Sequence, residues 1–291
     1  MPMTRLDQAE AVFAEVRPRL FGLAYRMSGS VADAEDLVQE VWLRWQTADR
    51  AAVVNPAAYL ATAITRLAIN ESQTARARRE TYVGPWLPEP VDTSADPQLG
   101  AERGAALELA VLALLEKLSP TERAAYVLRE AFDYPYSQIA EIVRTTEVAA
   151  RQLVSRARKR LAGERRARVE AAEQRRLLAA FVAAAQAGDL AGLERLFSDD
   201  VVSYSDGGGK ARAARVPLVG PRTLARVFAV WAPEFWSGAE VECVEANGLA
   251  AVALRREGKT FGLVTVTASG SGIDQVMWLV NPDKISSFDT T

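Results

Sequence analysis

Nine basic side chains stand between Arg144 and Arg168, opposed only by Glu147 and Glu164. Guanidinium and ammonium groups at that density neutralise phosphate, and an arginine or glutamine on a helix can pair bidentately with guanine or adenine in a major groove about 12 Å wide. A solvated helix face gives the same charge run, so its context decides its meaning. A second concentration of chemistry is Asp206-Gly-Gly-Gly-Lys210, a carboxylate and an ammonium bracketing a flexible loop. The 291 residues contain no histidine and a single cysteine, Cys243. This excludes Ser-His and Cys-His couples, an intrachain disulfide and a histidine pH switch, and removes the usual donors of a zinc site. With no histidine to share proton transfer, Asp206 and Lys210 read as solvated loop charges or as groups with a ligand-sensing or packing role, not as a catalytic couple. Any catalysis would have to use carboxylates, lysine, tyrosine or serine alone, and no metal or cofactor is expected.

The pattern around the basic run predicts the elements that hold it. Ser119-Pro120 with Glu122 three residues after the serine forms a capping box that opens a helix to about Phe132. Asp133–Pro135 breaks it, Ser137–Val143 makes a short helix with Ile139, Ala140 and Val143 inward, and Arg144-Thr145-Thr146 turns the chain, Thr146 capping the next helix. There Ala150, Val154, Ala157 and Leu161 share one face; Arg151, Ser155, Arg158 and Lys159 take the opposite side, flanked by Gln152 and Arg156. A short helix, a turn and a cationic second helix with small inward residues is the geometry that enters a major groove. The overall charge of −2 leaves that role to local charge.

Upstream, residues 81–104 hold four prolines and three glycines and read as a linker. Before it, Asp33–Gln46 places Leu37, Val41, Trp42 and Trp45 at helical core spacing, with Asp33, Glu35, Asp36, Gln39 and Glu40 on the other faces. Asn55–Glu80 is a second long helix, capped by Asn55 and ending in Arg76, Arg78 and Arg79. Beyond residue 190 the texture becomes β-rich: VVSYSD, AEVECVEA, LAAVALRRE, KTFGLVTVTA and IDQVMWLV. The amphipathic, acid-bearing N-terminus does not read as a secretory signal, and no window reaches the ~18–20 apolar residues of a membrane span. A soluble, cytoplasmic protein is expected.

Two segments resemble the extracytoplasmic-function sigma factors of bacteria. DAEDLVQEVWLRW is similar to the polymerase-binding helix of sigma region 2, and Ser119 through SRARKRL is similar to region 4, the reader of the −35 element. YVGPWLPEP, SDGGGK and NPDK resemble the motifs of the SigJ-type subfamily, whose sigma module is fused to a SnoaL-like cone domain. The resemblance implies a multidomain chain: a helical bundle over 1–80, a linker over 81–104, a helix-turn-helix domain over 105–168 and an α+β cone domain over 173–291. It implies binding to the β and β′ subunits of core RNA polymerase through Asp33, Asp36, Leu37, Gln39, Glu40 and Trp42. It implies −35 contacts from Arg151, Gln152, Ser155, Arg156, Arg158 and Lys159. The loop Ala48–Asn55 stands where the family captures a flipped −10 base, which leaves Arg50, Asn55, Arg66 and Asn70 as the polar candidates. At Asn70-Glu71-Ser72-Gln73 the sequence departs from the more basic family pattern.

The same resemblance makes the cone domain a regulator in cis, with a cavity open to a small-molecule ligand, on a chain that is a monomer when free. Trp86 is too large an apolar group for a mere tether, so the WLPEP segment is expected to lie against protein. Trp86, Asp206, Gly207, Gly208, Gly209, Lys210, Asn281, Pro282, Asp283 and Lys284 are the expected regulatory contacts. Two other readings compete: a helix-turn-helix regulator with a ligand-sensing cone domain, and an enzyme on the cone fold with a DNA-binding appendage. The acidic-aromatic helix Asp33–Gln46 speaks against the first, since an operator-binding repressor needs no polymerase-docking surface. The lack of histidine speaks against the second.

Overall fold

The computed structural model describes residues 5–93, 108–162 and 169–289. Positions 94–104 of the expected linker, positions 163–168 of the basic run, and the side chains of Arg76 and Arg78 lie outside the described residues. Two compact units result: Met1–Glu80 with Asp96–Glu164, and Thr81–Ala95 with Arg165–Thr291. No helix among the described residues is long and apolar enough to cross a membrane.

In the first unit α1 (Arg5–Ser28), α2 (Val31–Thr47) and α3 (Pro56–Glu80) form a bundle. The Ser30 hydroxyl accepts from Asp33 N to start α2, and Asn55 Oδ1 accepts from Ala58 N at 3.1 Å to start α3. Leu37, Val41 and Trp45 are buried as their spacing requires, and the Trp45 indole donates to Ala9 O at 3.1 Å. Then follow α4 (Leu109–Leu115), α5 (Pro120–Glu130), α6 (Tyr136–Ile142) and α7 (Glu147–Ala162). The capping box at Ser119 and Glu122 is present. Ala150, Val154, Ala157 and Leu161 are buried, whereas in α6 it is Ile142, not Val143, that joins Ile139 and Ala140 inside.

The two helical segments share one unit, and arginines join them. Arg66 donates from Nε to Ile142 O at 3.0 Å and from Nη2 to Glu141 O at 2.8 Å. Arg123 Nη1 reaches Met27 O at 2.6 Å, Arg19 Nη2 reaches Phe132 O at 3.2 Å, and Arg79 binds Ser28 O and Glu116. These carbonyls sit at or just past helix ends, where no intrahelical donor remains and the helix dipole is negative.

In the second unit α8 (Ala171–Ala187), α9 (Leu190–Leu196) and α10 (Pro221–Trp236) pack on a sheet of β1 (Phe197–Asp206), β2 (Leu218–Val219), β3 (Glu240–Ala246), β4 (Leu249–Arg256), β5 (Lys259–Ser269) and β6 (Gly272–Leu279). A short α11 (Pro282–Ile285) follows β6. The order is β2-β1-β6-β5-β4-β3, with β1 parallel to β6 and every other pair antiparallel. All five predicted β runs are strands; α10 was not foreseen. Alternate residues point to the helices, and Phe181, Phe228 and Trp278 form the aromatic centre of the core.

Candidate functional site

The cationic face of α7 starts at Thr146, whose hydroxyl accepts from Ala149 N at 3.2 Å. Arg151, Gln152, Ser155, Arg156, Arg158 and Lys159 are all exposed on it. Most of its guanidiniums rest on carboxylates of the same unit. Arg151 Nη2 contacts Glu147 Oε1 at 2.6 Å, and Arg158 Nη2 contacts Glu130 Oε1 at 2.6 Å. Arg156 Nε and Arg160 Nη1 meet the two oxygens of Glu122 at 3.2 and 3.0 Å. Burial alone would push the Glu122 carboxyl up; the Ser119 amide and hydroxyl together with Arg156 and Arg160 outweigh it and hold the group below its ordinary value. Arg156 is thus turned toward the body of the unit, while Gln152 and Ser155 face outward. Val148, 67% exposed in the first turn, is a surface group that charge-based reading passed over. An apolar side chain there suits contact with a thymine methyl.

On α2, Asp36, Gln39 and Glu40 are exposed, Glu40 paired with Arg44 at 2.5 Å. Asp33 is half-buried in the first turn, and Leu37 lies in the bundle core. Trp42 tilts against Phe13 with ring centroids 4.9 Å apart. A groove of about 390 Å³ between α1 and α2 is lined by Phe13, Val38, Gln39 and Trp42 and edged by the Arg17–Glu35 pair. An apolar floor with a charged rim is the make-up of a protein-docking surface.

Three of the four −10 candidates hold the fold. Arg50 Nη1 donates to Trp45 O and Gln46 O at 3.3 Å, closing α2. Asn55 caps α3, and Arg66 closes α6 as described. Asn70 is exposed on α3. Around the loop the conspicuous exposed groups are apolar: Val54, fully exposed, with Leu43 and Tyr59.

In the second unit the dispersed motifs meet. Asp206 is fully buried, so the packing role expected of it holds and the solvated-charge reading does not. Its carboxylate accepts from Tyr82 Oη at 2.5 Å, from Leu87 N at 2.8 Å and from Lys284 Nζ at 2.8 Å. Lys284 also donates to Leu87 O and lies over the Trp86 ring, 4.3 Å from its centroid. Asn281 Nδ2 donates to Tyr82 Oη at 2.9 Å, and Lys210 pairs with Asp283 at the surface. Pro282 opens α11 directly after Asn281. Burial first, then the hydrogen bond to Asp206, raises the Tyr82 phenol well above its ordinary value. Gly207, Gly208 and Gly209 are needed for this approach: a Cβ on Gly208 would lie 2.4 Å from Asn281 Nδ2, and one on Gly207 2.5 Å from Ala211 O. Farther along, Val91 N donates to Asn247 Oδ1 at 2.9 Å and Thr93 N to Glu245 O at 3.2 Å, so the segment reaches from the end of β1 to the outer edge of β3.

Comparisons with known proteins agree with this division. Residues 12–79 match the sigma-70 region 2 family and residues 108–161 the sigma-70 region 4 family. The chain is 40% identical over 208 residues to the ECF RNA polymerase sigma factor SigJ of Mycobacterium tuberculosis, a match covering 69% of this chain and 66% of that protein. It is 32% identical over 226 residues to the probable ECF RNA polymerase sigma factor SigI of the same organism, covering 76% and 78%. The crystal structure of M. tuberculosis SigJ superposes with a TM-score of 0.77 at 31% identity, covering 95% of this chain and 98% of that one. The six-stranded C-terminal unit is consistent with a SnoaL-like fusion. With both sigma regions in order and relatives matched across most of their length, the chain belongs to the extracytoplasmic-function RNA polymerase sigma factors.

Proposed function

We propose that this chain docks on the β and β′ subunits of core RNA polymerase through the α1–α2 groove and the exposed Asp36, Gln39 and Glu40, and directs the enzyme to promoters whose −35 element α7 reads. The observation that carries the reading is a single helical unit presenting both an apolar groove with a charged rim and an exposed cationic second helix of a helix-turn-helix. Arg151, Gln152 and Ser155 are the base-reading candidates, and Arg158 and Lys159 neutralise phosphate. Opening at −10 is assigned to the Ala48–Asn55 loop, with Asn70 about four turns farther along α3. The protein acts in the cytoplasm as a monomer until it meets polymerase, and it catalyses no reaction itself.

The C-terminal unit regulates in cis. Its support is the docking of Tyr82–Thr93 onto that unit: this stretch follows the last helix of region 2, so the clasp at Asp206 controls how much free chain leads toward region 4. A small-molecule ligand is assigned to the aromatic pocket of Phe228, Trp231, Phe235, Trp236 and Trp278. Its free volume of about 10 Å³ holds at most one water, so entry of a ligand requires α10 side chains to move. The test is capture of core polymerase by the full chain, followed by transcription from a randomised promoter library. Asp36→Arg with Glu40→Arg is expected to abolish capture without loss of helicity, and undiminished capture would remove the docking assignment.

A further inference from the structure

The ring of Tyr136, the first residue of α6, is approached by two guanidiniums, Arg129 from α5 and Arg151 from α7, each with Cζ 5.1 Å from its centroid. Arg129 is itself anchored, donating to Tyr134 O at 3.1 Å. Arg151 is 62% exposed, yet it is held from two directions: the Tyr136 ring on one side and Glu147 Oε1 at 2.6 Å on the other. A long arginine on an open helix face ordinarily samples many rotamers, and bidentate base reading demands one. The half-buried aromatic ring beneath it supplies a fixed platform, and the carboxylate sets the rotation of the guanidinium about its stem.

We infer that Tyr136 is a positioning residue for promoter reading. Together with Glu147 it presents the Arg151 guanidinium in one orientation and thereby sets base discrimination at the pair that Arg151 contacts. The inference rests on the reading of α7 as the −35 helix with Arg151 facing bases. It assigns Tyr136 no DNA contact of its own. Both arginines touch the ring, so the hydroxyl is dispensable for this role.

The test is selection from promoters randomised in the upstream element, using polymerase reconstituted with the full chain, read as the preference ratio at every base pair. Arg151→Ala is expected to erase the preference at one pair. Tyr136→Leu should lower the ratio at that same pair about two- to five-fold, the worth of a surface cation–π contact. It should leave the other pairs and the salt dependence unchanged. Tyr136→Phe should restore the ratio, and Glu147→Gln, which leaves the ring in place, should lower it about two-fold. A ratio at the Arg151 pair that neither Tyr136→Leu nor Glu147→Gln alters overturns the positioning role. So does a Tyr136→Phe variant as impaired as Tyr136→Leu, which would put the hydroxyl on the DNA. If Arg151→Ala itself changes no preference, the orientation assigned to α7 fails first, an outcome separable from the others.

Discussion

Two buried carboxylates, Glu122 in the helical unit and Asp206 in the C-terminal unit, accept similar bonds in different surroundings. Each takes a backbone N–H and a neighbouring hydroxyl, and each is paired with cations. The cations of Glu122 are Arg156 and Arg160, with side chains 54% and 56% exposed; that of Asp206 is Lys284, 12% exposed. Water can solvate Arg156 and Arg160 when they leave, but Glu122, 7% exposed, would keep only its bonds from Ser119, so phosphate must compete with a buried carboxylate for them. No such solvation is available to Lys284 and Asp206, where the loss of either leaves a charge stranded in protein. One carboxylate is a resting place for DNA-facing charge, and the other fixes architecture.

The largest expected effect tests that division. Asp206→Ala or Lys284→Ala should each destabilise the C-terminal unit by about 3–5 kcal/mol, the usual cost of breaking a buried pair from one side. Denaturant unfolding followed by tryptophan fluorescence measures it, and proteolysis within Tyr82–Thr93 should become rapid. A loss below ~1 kcal/mol with the segment still protected would show the clasp to be peripheral. Glu122→Ala should cost less, about 1–2 kcal/mol from the lost capping box. It should also make DNA binding more salt-dependent, by about one to two units of logarithmic slope, as Arg156 and Arg160 become available to phosphate. An unchanged slope would mean that Glu122 does not hold these arginines back from phosphate.

Titration separates the two sites in opposite directions. The folded state lowers the Glu122 carboxyl, so its contribution is present above the ordinary value of 4.5 and is lost as pH falls through the folded value. The folded state raises the Tyr82 phenol, so its contribution is present below 10.0 and is lost as pH rises toward the folded value. Acid should therefore loosen the start of α5 first and alkali the clasp. Glu122→Gln and Tyr82→Phe should flatten the respective limbs of the stability–pH curve; a wild-type limb persisting in either variant would assign it to other groups.

How far each site was legible follows from where its determinants lie in the chain. The helix-turn-helix is encoded locally: a capping box, small residues at three- and four-residue steps, and a charged opposite face all fall within Leu118–Gly163. Strand alternation is equally local. The clasp is not, since Asp206 sits in a glycine run of loop composition while the residue that covers it, Tyr82, lies 124 positions earlier. Sequence showed that three motifs existed but not that they converge on one carboxylate. Arg50 and Arg66 were ambiguous for another reason: an arginine near a loop suits a phosphate or a helix-end carbonyl equally, and only packing reveals that α2 and α6 end beside them. α10 went unread although Pro221 at its first position is a helix-start signal; Pro233 stands near its end.

The smallest expected effect concerns backbone strain, at one left-handed position in each unit. At the clasp, the left-handed position is given to glycine: Gly208 has φ 57° and no room for a side chain. In the turn between α6 and α7 the left-handed position is held by Arg144, φ 56°. An L-residue pays about 1 kcal/mol or more for that conformation, and glycine adopts it without clash while losing somewhat more chain entropy. Arg144→Gly should therefore raise the stability of the helical unit by up to about 1 kcal/mol. It also removes one cation from the run beginning at Arg144, so non-specific DNA affinity should fall slightly while −35 preference, which depends on α7, stays the same. Gly208→Ala should act oppositely, destabilising the C-terminal unit because Asn281 and Tyr82 must move. If Arg144→Gly proves destabilising, the arginine makes a contact that outweighs its strain, and the turn would be held by its side chain rather than merely tolerating it.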